Sequence, residues 1–173
     1  MSHATTPLPE IANVNSDNKF VCGDITVLYG DCHALLRTLP EGCTVVLDPP
    51  FTMMTTDHLT EALTSLNYLA LDVIALTNPL TGYIRGGKLV QCVPELATTA
   101  TEWHRHQRPL DAIVKLIALT KGMVLDPYCG SGTTLIAAHT LGRASIGIEC
   151  DRRTFERCRQ RVEESRGYGG LFS

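Results

Sequence analysis

Apolar residues fall along this chain in short, turn-bounded runs that alternate with stretches of helical spacing. Residues 25–29 (ITVLY) are rich in β-branched side chains and stop at Gly30 and Asp31, which predicts a strand followed by a turn. Residues 33–39 put Leu35, Leu36 and Leu39 on one side of a helix before residues 40–42 (PEG) break it. Residues 44–47 (TVVL) are wholly apolar and end at residues 48–50 (DPP), the pattern of a strand covered on both faces.

The same alternation continues in the C-terminal half. Residues 109–119 carry Leu110, Ile113, Val114, Ile117 and Ala118 at helical spacing, with Gly122 closing the segment. A strand over 123–125 ends at Asp126, a helix over 131–141 ends at Gly142, and a strand over 144–148 ends at Glu149. A charged helix over 151–165 follows. Strand and helix in strict turn imply an α/β fold: a Rossmann-like, mostly parallel sheet with helices on both faces. Between the halves, 59–71 reads as a helix, and 71–76 and 88–93 read as strands. Residues 1–18 are polar, hold Pro7 and Pro9, and show no periodicity, so a mobile tail is expected there and a single domain over 19–173.

Composition narrows this picture. The 173 residues are 44% hydrophobic and 19% charged, enough apolar material for a core. A net charge of −3 excludes a wholly basic nucleic-acid coat while leaving room for a local basic patch. No apolar run reaches membrane-span length and no secretion signal opens the chain, so no membrane and a cytoplasmic location are expected. The seven cysteines (22, 32, 43, 92, 129, 150 and 158) lack the spacing of a zinc site or redox motif. They read as reduced thiols, with no metal.

The segment 124–134 (VLDPYCGSGTT) sets an acid, Asp126, and a glycine-rich turn between a strand and a helix. Gly130 and Gly132 let backbone approach a ligand without interference from Cβ. Glu149 ends the next strand, where a carboxylate can hold both ribose hydroxyls of a nucleoside. A dinucleotide is disfavoured, because Leu135 occupies the third glycine position of that fingerprint and Asp126 would oppose a pyrophosphate. No Gly-Lys-Ser/Thr follows, which excludes a P-loop. A cationic nucleoside without phosphates fits best, and S-adenosylmethionine (SAM), with its sulfonium and ammonium groups, is such a ligand.

Three blocks then resemble the DNA amino-methyltransferases. Residues 28–32 (LYGDC) with 47–51 (LDPPF) are similar to that family's GD…L…DPPY/F region, and 104–109 (HRHQRP) to its HPxQKP signature. Residues 126–134 (DPYCGSGTT) with 147–151 (GIECD) are similar to DPFxGSGTT…GIExD. Catalytic block first and cofactor block last resembles the permuted order called the β class. The resemblance implies methyl transfer from SAM to an exocyclic base amine of DNA. It makes Asp48, Pro49, Pro50 and Phe51 the catalytic group. The Asp48 carboxylate and the Pro49 carbonyl would accept the two amine N–H bonds, with prolines holding carbonyls outward. Phe51 would stack on a base swung out of the duplex.

The resemblance also implies the remaining cofactor contacts. His104, Gln107, Arg108 and Pro109 precede a helix and would hold the methionine carboxylate. Asp31 would lie near the adenine, and Tyr128 stands where the family usually has Phe. Ser131, Thr133 and Cys150 complete the set.

Arg105 and Arg108 depart from the family's usual Pro and Lys. Residues 52–103 leave little room for a recognition region, so a core trimmed relative to the family is expected, with a depleted far side of the sheet. Gly82 to Val93 is expected to be either the strand after the first crossover or the hairpin that ends the sheet. Tyr83, Arg85, Lys88, Arg105 and His106 are the candidates for phosphate or base contact. DNA grip would come from a homodimer or a partner subunit. The resemblance implies adenine N6, since the similar enzymes with Asp at the first catalytic position mostly act on adenine; cytosine N4, or a SAM-binding subunit without catalysis, are the alternatives. The basic helix with Arg152, Arg153, Arg157, Arg159, Arg161 and Arg166 reads as a solvated face laced with ion pairs.

Overall fold

The computed structural model describes residues 11, 14–36, 39, 41–48, 70–76, 81–85, 88–92 and 110–167. The strands are β1 (Lys19–Cys22), β2 (Ile25–Tyr29), β3 (Cys43–Leu47), β4 (Ala70–Leu76), β5 (Thr81–Arg85), β6 (Lys88–Cys92), β7 (Val124–Asp126) and β8 (Ser145–Glu149). The helices are α1 (Cys32–Leu36), α2 (Leu110–Ala118), α3 (Thr133–Thr140) and α4 (Arg152–Gly167). All eight strands form one sheet in the order β1-β2-β8-β7-β3-β4-β5-β6. The central five are parallel, and β1, β5 and β6 run antiparallel at the two edges.

Alternating side chains of the central strands feed opposite faces of the sheet. Ile25 and Val27 pack with Leu135, Ile136, Phe155 and Val162 under α3 and α4, while Val46 and Val124 meet Ile113 and Ile117 of α2. On the other face Leu28, Val45, Leu125 and Ile146 pack with Cys32, Leu39 and Ile11. Gly147 permits α3 to sit close, since a Cβ there would meet Leu135 Cδ1 at 2.7 Å and Cys129 Sγ at 2.8 Å. None of the described helices is long and apolar enough to cross a membrane.

Four expectations need correction. Ile11 is only 6% exposed and packs into the core with Val14, and Ser16–Asn18 form a 3-10 turn capped by the Asn15 side chain. Within 1–18, residues 11 and 14–18 are therefore docked, and the others lie outside the described residues. The far side of the sheet is not depleted. Ala70–Leu76 is the parallel strand beside β3, and residues 82–85 and 88–92 fall in the β5–β6 hairpin that ends the sheet, so of the two alternatives for that segment the hairpin holds. Of the helix expected over 33–39, Cys32–Leu36 is helical and Leu39 is not, while 37 and 38 lie outside the described residues. Of the helix expected over 59–71, residues 59–69 lie outside the described residues and the last two open β4.

Candidate functional site

The chemistry-bearing residues stand at the C-terminal ends of the parallel strands. Tyr29 pairs with Glu149, Asp126 with Gly147, and Val45 with Leu125, so the ends of β2, β8, β7 and β3 share one edge. From β3 the chain goes outward to its neighbour β4, and from β7 it goes the other way to β8. The strand order therefore reverses between β7 and β3, and ligands of open α/β sheets bind in the crevice at such a reversal. Asp126 and Asp48 flank it.

Asp126 is 2% exposed. Its Oδ1 accepts the Tyr128 N–H at 3.0 Å, and the Thr134 hydroxyl also bonds the carboxyl. Burial nonetheless pushes it up to about 7, and the charges of Asp48 and Glu149 push the same way. Three carboxyl groups thus meet at this edge, with Asp126 within electrostatic reach of the other two, an arrangement that a cation relieves.

The turn after Asp126 is built for close approach. Gly130 (φ 51°) and Gly132 (φ 82°) are left-handed, and the Gly132 N–H bonds the Cys129 carbonyl at 2.8 Å. The Cys129 N–H bonds the Ile148 carbonyl and the Gly30 N–H bonds the Glu149 carbonyl, both at 3.0 Å. These bonds extend the strand ladder into the turns and fix them relative to one another.

Glu149 is half-buried, and its Oε1 accepts the Asp151 N–H at 2.7 Å. Asp151 in turn caps α4, accepting the Thr154 N–H and hydroxyl at 2.8 Å each. Asp31 Oδ1 accepts the Ala34 N–H at 3.0 Å, so this acid caps α1 beside the crevice. Tyr128 is half-buried, bonds the Cys32 thiol, and is held well above the usual phenol range by burial. Cys150 is exposed next to Glu149. Pro49, Pro50, Phe51, His104, Gln107, Arg108 and Pro109 lie outside the described residues, as do Arg105 and His106. Tyr83, Arg85 and Lys88 take places in β5 and β6.

Two contributors escaped sequence reading. Thr134 reaches Asp126, and Arg161 of α4 reaches back to the glycine turn, its Nη1 lying 2.8 Å from Thr133 Oγ1 and 3.0 Å from Ser131 Oγ. The available signal was that Arg161 falls between Cys158 and Val162, both on the buried stripe of α4. The outer face behaves as expected, with Arg152–Glu156 at 3.0 Å and Arg159–Glu156 at 3.5 Å. His139 pairs with Asp24 at 2.8 Å, away from this edge.

Comparison with known proteins gives a consistent neighbourhood. Residues 90–160 match the model of the DNA methylases of the N6/N4 type. The type II methyltransferase M2.LlaDCHI of Lactococcus lactis subsp. cremoris is 33% identical over 69 residues, 38% of this chain and 26% of that protein. M.HindIII of Haemophilus influenzae is 44% identical over 50 residues, 27% of this chain and 16% of that one. The matched segments thus span about a quarter or less of these relatives. Among solved structures, the M1.HpyAVI–SAM complex superposes with a TM-score of 0.59 at 17% identity, covering 79% of this chain and 99% of that one. The PvuII cytosine-N4-specific DNA methyltransferase gives 0.55 at 12% identity, covering 83% and 91%. These likenesses establish the fold.

Proposed function

We propose that this chain, whose residues 90–160 match the DNA methylase family model, is a SAM-dependent DNA amino-methyltransferase built as one domain. The observation that carries the reading is the meeting of Asp48 with Asp126 and Glu149 at the reversal of strand order. The donor set suits SAM: a buried carboxyl for a cationic ligand, an acid at the end of β8 for ribose hydroxyls, and a turn whose left-handed glycines leave room for a ligand against backbone.

SAM supplies an electrophilic methyl group. The chain's own part is to hold the two reactants in line, which contributes roughly 7–11 kcal/mol of barrier reduction. Glu149 would bind the ribose, with Tyr128, Asp31 and Cys150 around the adenine. Asp126 would sit against the cationic methionine end, near Gly130, Ser131, Gly132 and Thr133. His104, Gln107, Arg108 and Pro109 would take the methionine carboxylate. Asp48 and the Pro49 carbonyl would accept the two amine hydrogens, turning the nitrogen lone pair toward the crevice. Pro50 would keep the backbone of that turn rigid, and Phe51 would stack on the extruded base.

Adenine N6 is the preferred acceptor, on the strength of Asp at position 48. Purified protein incubated with labelled SAM and DNAs of varied sequence should transfer label, and nucleoside mass spectrometry should find N6-methyladenine. Asp48→Ala should abolish transfer and spare SAM binding. Binding without transfer to any DNA, alone or with a partner subunit, would instead indicate a SAM-binding subunit, and N4-methylcytosine would reassign the acceptor.

A further inference from the structure

The geometry points to Arg161 as the positioning residue of the glycine-rich turn: from α4 it holds Ser131 and Thr133 so that the start of α3 stays open to the cofactor. This rests on the reading of the turn as a SAM site. The guanidinium Nη1 lies 3.1 Å from the Ser131 carbonyl, 3.0 Å from the Ser131 hydroxyl and 2.8 Å from the Thr133 hydroxyl. These three oxygens flank Gly132, the left-handed residue that precedes α3. The same face of α4 also packs against the turn, since a Cβ on Gly132 would meet Cys158 Sγ at 2.6 Å and Val162 Cγ2 at 3.7 Å.

The placement is costly, which argues for a purpose. A half-buried cation stands at the positive end of a helix dipole. Burial depresses the Arg161 pKa, while Arg152, Arg153, Arg157 and Arg159 of the same helix are exposed. The return lies in the helix start. Ser and Thr hydroxyls near a helix N-terminus ordinarily bond its first amides. Here both hydroxyls engage the guanidinium, Gly132 has no side chain to offer, and α3 has no side-chain cap. Its first-turn N–H groups are thereby left for a polar group of the ligand.

Three variants test this: Arg161→Met, which keeps the apolar stem, Arg161→Lys, and Arg157→Met as an exposed control. In the ligand-free protein, amide exchange at 130–134 should rise in Arg161→Met while the amides of β2 and β3 stay protected. SAM affinity by calorimetry should weaken by about tenfold, the scale of one charged hydrogen bond. The KM for SAM should rise with it, leaving the KM for DNA unchanged. Arg161→Lys should recover part of both effects, and it carries the test if the Met variant does not fold. Arg157→Met should match the parent protein. Uniformly faster exchange with a lower Tm and unchanged SAM affinity would overturn the proposal, leaving Arg161 a structural residue only. Failure of the unsubstituted protein to bind SAM would sink the cofactor reading separately, and the ligand-free exchange data would still show whether Arg161 orders the turn.

Discussion

The two ends of the parallel strands are organised in opposite ways. At the N-terminal ends, charge meets its complement. Arg143 donates from Nε to the Gly122 carbonyl at 2.6 Å, from Nη1 to the Ile117 carbonyl at 2.7 Å and the Thr120 hydroxyl at 2.9 Å, and from Nη2 to the Thr44 hydroxyl at 3.1 Å. One cation thus closes the C-terminus of α2 and ties it to β3, at the negative end of the helix dipole. His139 and Asp24 close the gap between α3 and the β1–β2 turn. At the C-terminal ends, like charges are gathered instead: Asp48 and Glu149 both bear on Asp126, and a turn with left-handed glycines follows it. One edge is knit together by a cation shared among carbonyls and hydroxyls, and the other gathers carboxyls of one sign.

The sharpest way to break this contrast is Asp126→Asn. Its carboxyl keeps its proton up to about pH 7 in the folded chain, against an ordinary 3.8. Between those values the folded chain binds a proton that the unfolded chain has released, so stability falls as pH rises through that window. The penalty is complete above pH 7, on the order of 1.4 kcal/mol for each unit of displacement. Asparagine carries no such penalty. The variant should melt higher than the parent at pH 8, with the gap shrinking toward pH 4, in calorimetric scans. At pH 8, where the parent carboxyl is charged, it should also bind SAM roughly a hundredfold more weakly, the scale of a lost buried charge partner. A variant that is less stable at pH 8, or that binds SAM as before, would dissolve the distinction between the two edges.

Arg143→Ala probes the opposite edge and should do the reverse. Removing a charged donor shared by several carbonyls and hydroxyls should cost about 2–3 kcal/mol in urea unfolding. SAM affinity of the folded fraction should not change, because Arg143 lies at the far ends of β7 and β8 from the crevice. This edge also holds the one unsatisfied buried side-chain polar atom among the described residues, Ser145 Oγ.

Legibility followed burial. β2, β3, β7 and β8 could be read because their residues are covered on both faces, which forces uninterrupted apolar runs. β1 could not: Lys19–Cys22 is four residues at a sheet edge with Val21 52% exposed, so no run marks it. The hairpin was seen only as one of two alternatives, since pairing between β5 and β6 is a tertiary fact. At the site, Asp126, Gly130, Gly132 and Glu149 were legible from the strand–turn–helix frame alone. Arg161 was hidden among charged neighbours on α4, because its partners Ser131 and Thr133 lie about 30 residues away in sequence. The capping of α1 by Asp31 depends on where α1 starts, and that boundary was misplaced by one residue.

The smallest effect comes from thiol chemistry, which compares the edges without altering stability. Cys150 is exposed beside Glu149, whereas Cys43 opens β3 at the opposite edge and is fully buried. Burial pushes the Cys43 thiol up to about 11, and desolvation followed by the Glu149 charge raises that of Cys150. The thiolate is the attacking species, so both should react slowly at pH 7 and faster at pH 9. Among the described cysteines, iodoacetamide should label Cys150 first in the native protein and leave Cys43 untouched until unfolding, as read by peptide mass spectrometry. If Glu149 holds the ribose, saturating SAM should shield its neighbour and slow the labelling several-fold. Labelling of Cys150 at an unchanged rate, in a protein that demonstrably binds SAM, would move the nucleoside away from the end of β8 and leave Asp126 to carry the cofactor reading alone.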